Sequence, residues 1–100
     1  MHPRRIQVHV LVSGRVQGVG FRATLQREAK RRELQGWVRN LEDGRVEAVI
    51  QGFESEVNAL VGWCRKGPLH AAVSAIEVVR RPIEAFHGFD LRPGPRSDPP

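Results

Sequence analysis

A stretch of ten residues near the start of the chain has the composition of an anion-binding loop. In order, its residues are Ser13, Gly14, Arg15, Val16, Gln17, Gly18, Val19, Gly20, Phe21 and Arg22. The three glycines allow backbone conformations that are closed to residues with a Cβ, so several N–H groups can turn toward one point. A predicted helix follows at once, and its unpaired N–H groups and the positive end of its dipole favour a phosphate-sized anion. We therefore expect residues 15–20 to form a cradle for an anion.

Arg22 falls in the first turn of that helix. A guanidinium there could bind two oxygens of the same anion through a planar fork that lysine lacks. The same residues also have purely structural explanations, because the glycines could serve only a tight turn and Arg22 could be a surface arginine. The sequence of the loop alone leaves these alternatives open.

The composition limits what kind of protein carries this loop. One hundred residues make one domain, and 40% hydrophobic with 27% charged residues is ordinary for a globular protein. The net charge is +5, and residues 1–50 contain the whole excess, with ten basic residues against five acidic ones. Cys64 is the only cysteine, so no intrachain disulfide can form and we expect a cytoplasmic protein. The four histidines lack metal-ligand spacing, so we expect no metal site. We also expect no cofactor.

Periodicity predicts the elements that would position the loop. Alternating apolar residues predict a first strand over 6–12, and apolar residues at a spacing of four predict a helix after the loop. Asp43-Gly44 between two β-branched runs predicts a hairpin. A second helix is predicted to begin near Ser55 as its N-cap, with Cys64 in the core. Strands over 73–80 and 88–92 follow, the last one short and at an edge. Residues 1–92 then form the domain, and 93–100 are a disordered Pro-rich tail.

This order of elements is strand, helix, strand, strand, helix, strand. It predicts an α+β, ferredoxin-like split βαβ fold with an antiparallel sheet and both helices on one face, plus the short C-terminal edge strand. Because that fold carries many functions, the function must be argued from the site.

The motifs of the chain closely resemble those of the acylphosphatases. The resemblance rests on residues 14–22, on Gly36-Trp37-Val38-Arg39-Asn40-Leu41 after the first helix, and on Asp43-Gly44 with Val46-Glu47-Ala48. It continues more loosely to Gly88-Phe89 and covers roughly nine-tenths of the chain. The sequence departs from the family pattern in two segments. Ala23-Thr24 replaces an aromatic or polar residue, and Arg32-Glu33-Leu34 replaces a Leu-Gly-Leu type segment, so we expect a local adjustment at that helix end.

The resemblance implies a metal-independent enzyme that hydrolyses acyl phosphates to a carboxylate and inorganic phosphate. It also implies residue roles: Arg22 binds the phosphate, Asn40 orients the attacking water, and residues 15–20 supply backbone donors. The expected partner is a small acyl phosphate, without nucleic acid or membrane, and the expected state is a monomer. The alternatives are a catalytically silent module of the same fold that binds phosphate or RNA, and an acylphosphatase-like domain of the sort found in larger maturation enzymes.

Overall fold

The computed structural model of the protein describes residues 3–94. Its elements, in chain order, are β1 (Arg5–Arg15), α1 (Phe21–Arg31), β2 (Gln35–Asn40), β3 (Val46–Phe53), α2 (Glu54–Cys64), β4 (Ala72–Arg81) and β5 (Phe89–Leu91). The predicted order of elements is confirmed, including the short last strand. Of the predicted disordered tail, residues 95–100 lie outside the described residues.

The five strands form one sheet in the order β4-β1-β3-β2-β5. The first four strands pair antiparallel, whereas β5 runs parallel to β2. The sheet is therefore mixed, and the prediction of an antiparallel sheet is corrected for its last strand. The reason is topological. The chain leaves β4 at one edge, crosses the sheet, and reaches the opposite edge in the same direction as β2.

One face of the sheet and the two helices form the core. Alternate residues of β1 are buried on that face, namely Ile6, Val8, Val10 and Val12, as the period-two pattern predicts. They join one apolar cluster with the buried residues of both helices. Cys64 belongs to this cluster, and burial raises the pKa of its thiol to about 12. It is a core thiol and is not poised as a nucleophile.

The other face of the sheet is crossed by the segment that connects β4 to β5. The Gln51 amide holds this segment, because its Nε2 donates to the Glu84 carbonyl at 2.7 Å and its Oε1 accepts from the Glu84 N–H at 2.9 Å. Gln7 Nε2 donates to the same Gln51 oxygen at 2.9 Å, and both glutamines are buried. The crossover is thereby fixed to the sheet, and β5 is delivered to the edge beside β2.

The predicted start of α2 is wrong by two residues. The helix begins at Glu54 and Phe53 is its N-cap, without a side-chain hydrogen bond, so Ser55 lies inside the first turn. The chain passes directly from β3 into the helix, and the Glu54 N–H donates to the Arg4 carbonyl at 2.8 Å. Glu54 and Glu56 in this first turn interact favourably with the helix dipole.

The end of α1 keeps a left-handed cap although it lacks glycine. Glu33 has a φ of 59°, the only positive φ at a non-glycine residue among residues 3–94. The Leu34 N–H donates to the Ala29 carbonyl at 2.9 Å and the Glu33 N–H to the Lys30 carbonyl at 3.0 Å, which is the Schellman pattern. The backbone has therefore not adjusted to the missing glycine, and Glu33 retains the strain of a left-handed residue with a Cβ.

We expect Glu33→Gly to stabilise the protein by about 1 kcal/mol, because glycine adopts this conformation without the steric cost. Urea unfolding followed by tryptophan fluorescence measures the change. Glu33→Ala is the matched control, since it removes the carboxylate but keeps the Cβ. Equal stabilities of the Gly and Ala variants would contradict a strained backbone at this position.

Candidate active site

The predicted anion-binding loop, which joins β1 to α1, begins at a β-bulge in β1. The pairing of β1 with β4 shifts register between Ser13 and Gly14, and Gly14 has a φ of 120°. A Cβ at this position would lie 2.2 Å from the Ala72 carbonyl oxygen, so only glycine fits. The bulge turns the chain away from the strand and starts the loop that leads into α1.

The loop leaves a group of backbone N–H donors without partners. Gly18 and Gly20 have φ angles of 74° and 79°, and Gly20 is the N-cap of α1. Among residues 3–94, no side chain caps this helix, and its first turn carries no acidic residue. Within residues 3–94, no hydrogen bond uses a backbone N–H of residues 17–20 as donor. These donors and the helix dipole therefore make the loop a suitable place for an anion.

A small cavity connects the loop to β2. Its volume is about 150 Å³, and it is lined by Val16, Gly18, Gly20, Phe21, Arg22, Ala23, Asn40 and Leu91. A cavity of this size can hold a molecule comparable to benzene. Arg22 and Asn40, which are 18 positions apart in sequence, thus face the same space. The cavity could accommodate a phosphate group with a small substituent.

Three of the predicted loop residues do not line the cavity with their side chains. Arg15 is the last residue of β1 and is exposed, and Val19 packs against the core. Gln17 extends its amide to the β2–β3 turn, where Nε2 donates to the carbonyls of Leu41 at 2.8 Å and Arg45 at 3.0 Å. The expected contacts of residues 15, 17 and 19 with an anion are those of their backbone N–H groups.

Asn40 presents a polar atom that the fold does not use. It is the last residue of β2, paired with Val46 of β3. Its Oδ1 is shielded from bulk solvent and has no hydrogen-bond partner in the described part of the chain. A buried amide oxygen without a partner costs free energy, which makes Asn40 a candidate functional residue at the cavity.

Arg22 lies at the mouth of the same cavity and contacts the C-terminal segment. Its NH1 donates to the Arg92 carbonyl at 3.1 Å, which is its one hydrogen bond within residues 3–94. The remaining donors of the guanidinium can bind an anion. Gly94, two residues after Arg92, lies beside Asn40. A Cβ placed on Gly94 would lie 3.7 Å from the Cβ of Asn40.

Sequence reasoning missed Leu91 and Arg92 as parts of this site. They reach it because β5 pairs with β2, where Leu91 lies opposite Val38 and the Arg92 N–H donates to the Val38 carbonyl at 2.8 Å. No motif could have indicated this, because the approach depends on a crossover over the whole sheet. The sequence predicted β5 but not its pairing with β2.

The described residues that line the cavity include no carboxylate and no histidine. Glu47 lies on the other face of β3, where it contacts His9 at 2.7 Å and Arg39 at 2.6 Å. Burial alone would raise the pKa of Glu47, but the hydrogen bonds from His9 and Arg39 outweigh it and lower the pKa below its ordinary value. The negative charge of Glu47 is thus paired on the face of the sheet away from the cavity. Among the described residues that line the cavity, Arg22 is the charged one.

Within residues 3–94, no three His, Cys, Asp or Glu side chains come together in a way that could hold a metal ion. None of the helices in this part of the chain is long and apolar enough to cross a membrane.

Comparison with known proteins identifies the family. The acylphosphatase family model matches residues 8–91, which contain the loop, Arg22 and Asn40. The chain belongs to the acylphosphatase family. It is 54% identical to an acylphosphatase of Pseudomonas aeruginosa over 88 residues, covering 88% of this chain and 97% of that protein.

Solved structures of acylphosphatases have the same fold. An acylphosphatase from Coxiella burnetii superposes with a TM-score of 0.85 at 39% identity, covering 88% of this chain and 93% of that one. An acylphosphatase from Bacillus subtilis gives a TM-score of 0.84 at 41% identity, covering 87% and 98% of the two chains. The ferredoxin-like α+β fold and the family expected from the sequence are both confirmed.

Proposed function

We propose that this acylphosphatase hydrolyses acyl phosphates to a carboxylate and inorganic phosphate at the cavity between the loop and β2. Arg22 and the backbone amides of residues 15–20 bind the phosphate, and Asn40 orients the water. The observation that carries the proposal is that Arg22 and Asn40 line one cavity. Within residues 3–94, the buried Oδ1 of Asn40 has no hydrogen-bond partner and the backbone N–H groups of residues 17–20 donate to no acceptor.

The chemistry requires little beyond positioning and charge stabilisation. The water oxygen forms a bond to phosphorus while the bond from phosphorus to the acyl oxygen breaks, and the carboxylate leaves with that electron pair. A carboxylate is a good leaving group, so no general acid is needed. In keeping with this, the described residues that line the cavity include neither a carboxylate nor a histidine. The charge that develops on the phosphoryl oxygens is stabilised by Arg22 and the loop amides.

Asn40 contributes an acceptor for the nucleophile. Its Oδ1 can accept a hydrogen bond from the attacking water and hold the water in line with the breaking bond. An amide oxygen is too weak a base to remove the proton outright, so a phosphate oxygen takes it. This division of roles is consistent with the absence of a hydrogen-bond partner for the buried amide oxygen within residues 3–94.

The proposed partner is a small acyl phosphate, and the enzyme acts as a cytoplasmic monomer without a metal or cofactor. The alternative of an RNA-binding module gains no support from the sheet. RNA-binding sheets of this fold class expose aromatic side chains for base stacking, whereas here Glu84 of the crossover is bound to Gln51 on that face. Trp37 is already covered by Arg92, whose guanidinium lies 4.4 Å from the ring centroid.

We expect the purified protein to hydrolyse benzoyl phosphate and acetyl phosphate far faster than either decomposes in buffer, and to do so equally with and without a chelator. Substrate loss followed by ultraviolet absorbance, or by colorimetric phosphate release, measures the rate. A folded sample that binds inorganic phosphate without turnover would instead indicate the silent phosphate-binding module. Salt-sensitive RNA binding at micromolar affinity or tighter, without hydrolysis, would indicate the RNA-binding alternative.

A further inference from the structure

The side chain of Gln17 joins the anion loop to the strand that carries Asn40. Both hydrogens of its amide are donated to backbone carbonyls, at 2.8 Å to Leu41 and at 3.0 Å to Arg45. Within residues 3–94, these are the two side-chain hydrogen bonds between residues 16–20 and the β2–β3 hairpin. The loop glycines and the valines on either side provide no comparable polar link.

The two acceptors lie next to Asn40 in the sheet. Leu41 follows Asn40 directly, and Arg45 precedes Val46, the residue paired with Asn40. The Leu41 N–H also donates to the Arg45 carbonyl at 2.8 Å, so the ladder of β2 and β3 ends at this pair. Gln17 therefore binds the last hydrogen-bonded pair of β2 and β3, one residue beyond Asn40, which lines the cavity.

We infer that Gln17 is a positioning residue that sets the distance between the bound phosphate and the water held by Asn40. The inference rests on the proposed function. Its physical basis is that the loop and Asn40 belong to different elements, and in-line attack tolerates little change in the separation of the two groups they hold. Gln17 itself does not line the cavity and acts through Asn40.

Gln17→Met removes both hydrogen bonds at nearly constant length. We expect kcat for benzoyl phosphate to fall about tenfold, while the inhibition constant of inorganic phosphate stays within about twofold, because the loop amides and Arg22 remain. Gln26→Met is the matched control. The Gln26 amide donates to the Phe89 carbonyl at 2.9 Å, a similar partly buried bond between α1 and β5, and its loss should leave kcat nearly unchanged.

A double-mutant cycle tests whether Gln17 acts through Asn40. Since Asn40→Ala already removes the water-holding amide, adding Gln17→Met to it should lower kcat no further. Multiplied effects of the two changes would overturn the inference. So would a Gln17→Met variant in which phosphate binding weakens by the same factor as kcat, since the link would then serve the loop alone.

Gln17→Glu provides a second, pH-dependent readout. An ionised carboxylate cannot donate to the two carbonyls, whereas the protonated acid donates one hydrogen bond. We therefore expect kcat of this variant, divided by that of the wild type, to increase as the pH is lowered through the range in which the acid protonates. A ratio that is independent of pH would contradict the role of the hydrogen bonds. Absence of turnover in the wild type would overturn the proposed function. If the wild type is active but the Gln17→Met and Asn40→Ala changes multiply their effects on kcat, only the role of Gln17 is overturned.

Discussion

Arg22→Ala is expected to lower kcat/KM for benzoyl phosphate by about 10³-fold. Removing one preorganised donor to a developing oxyanion costs about 10²- to 10³-fold, and an arginine that stabilises a phosphoryl transition state is worth about 10³-fold or more. Inorganic phosphate should also bind more weakly, because Arg22 is the charged side chain among the described residues that line the cavity. Steady-state kinetics with phosphate as a competitive inhibitor measures both effects.

Two controls separate charge from geometry in this prediction. Arg22→Lys keeps the positive charge but loses the planar fork, so it should recover only part of the lost activity. Arg27→Ala removes an exposed arginine of the same helix that does not line the cavity, and it should leave kcat/KM unchanged. Because Arg22 also donates to the Arg92 carbonyl, urea unfolding of each variant is needed. Nearly full activity of Arg22→Ala would contradict the proposed phosphate site.

Asn40→Ala is expected to lower kcat about 10²-fold while the inhibition constant of inorganic phosphate changes little. The reason is that Asn40 holds the water, and the loss of one oriented hydrogen-bonding group affects the transition state more than the bound phosphate. Single-turnover and steady-state rates with benzoyl phosphate, together with phosphate inhibition, provide the measurement. Parallel losses in kcat and in phosphate affinity would assign Asn40 to phosphate binding and contradict the water-orienting role.

The matched control is Asn58→Ala, which removes an exposed asparagine of α2 that does not line the cavity. It should leave kcat unchanged. Removing the unpartnered amide of Asn40 should also cost little stability, since its Oδ1 makes no hydrogen bond within residues 3–94. Large destabilisation of Asn40→Ala would indicate that the amide serves the fold.

Local patterns were sufficient to predict most elements of the fold. The alternation in Ile6, Val8, Val10 and Val12 predicts both the strand and the face that is buried. The Asp43-Gly44 turn predicts the hairpin, and the Arg45 N–H indeed donates to Asp43 Oδ1 at 3.0 Å. These features depend on neighbours in sequence, so they can be read without knowledge of the tertiary structure.

What could not be predicted depends on distant contacts. Ser55 is a good N-cap by type, but the packing of β3 onto β1 brings Phe53 and Glu54 to the position where the helix must start. The Gln17 side chain could equally have faced an anion or solvent, and only the position of the hairpin decides that it binds two carbonyls. Parallel pairing of β5 likewise has no local signal, because its partner is set by the crossover.

The pairing of β5 with β2 determines when, during folding, the enzyme becomes active. The cavity draws on residues from Val16 to Leu91, and Arg22 contacts the carbonyl of Arg92. During synthesis, the cavity is therefore complete only after almost the whole domain has left the ribosome and β5 has paired with β2. Enzymatic activity is expected only from that point. Closing such a long loop is slow relative to forming a helix. Enzymatic activity in a refolding experiment thus reports the final docking event, whereas far-ultraviolet circular dichroism reports the earlier ones.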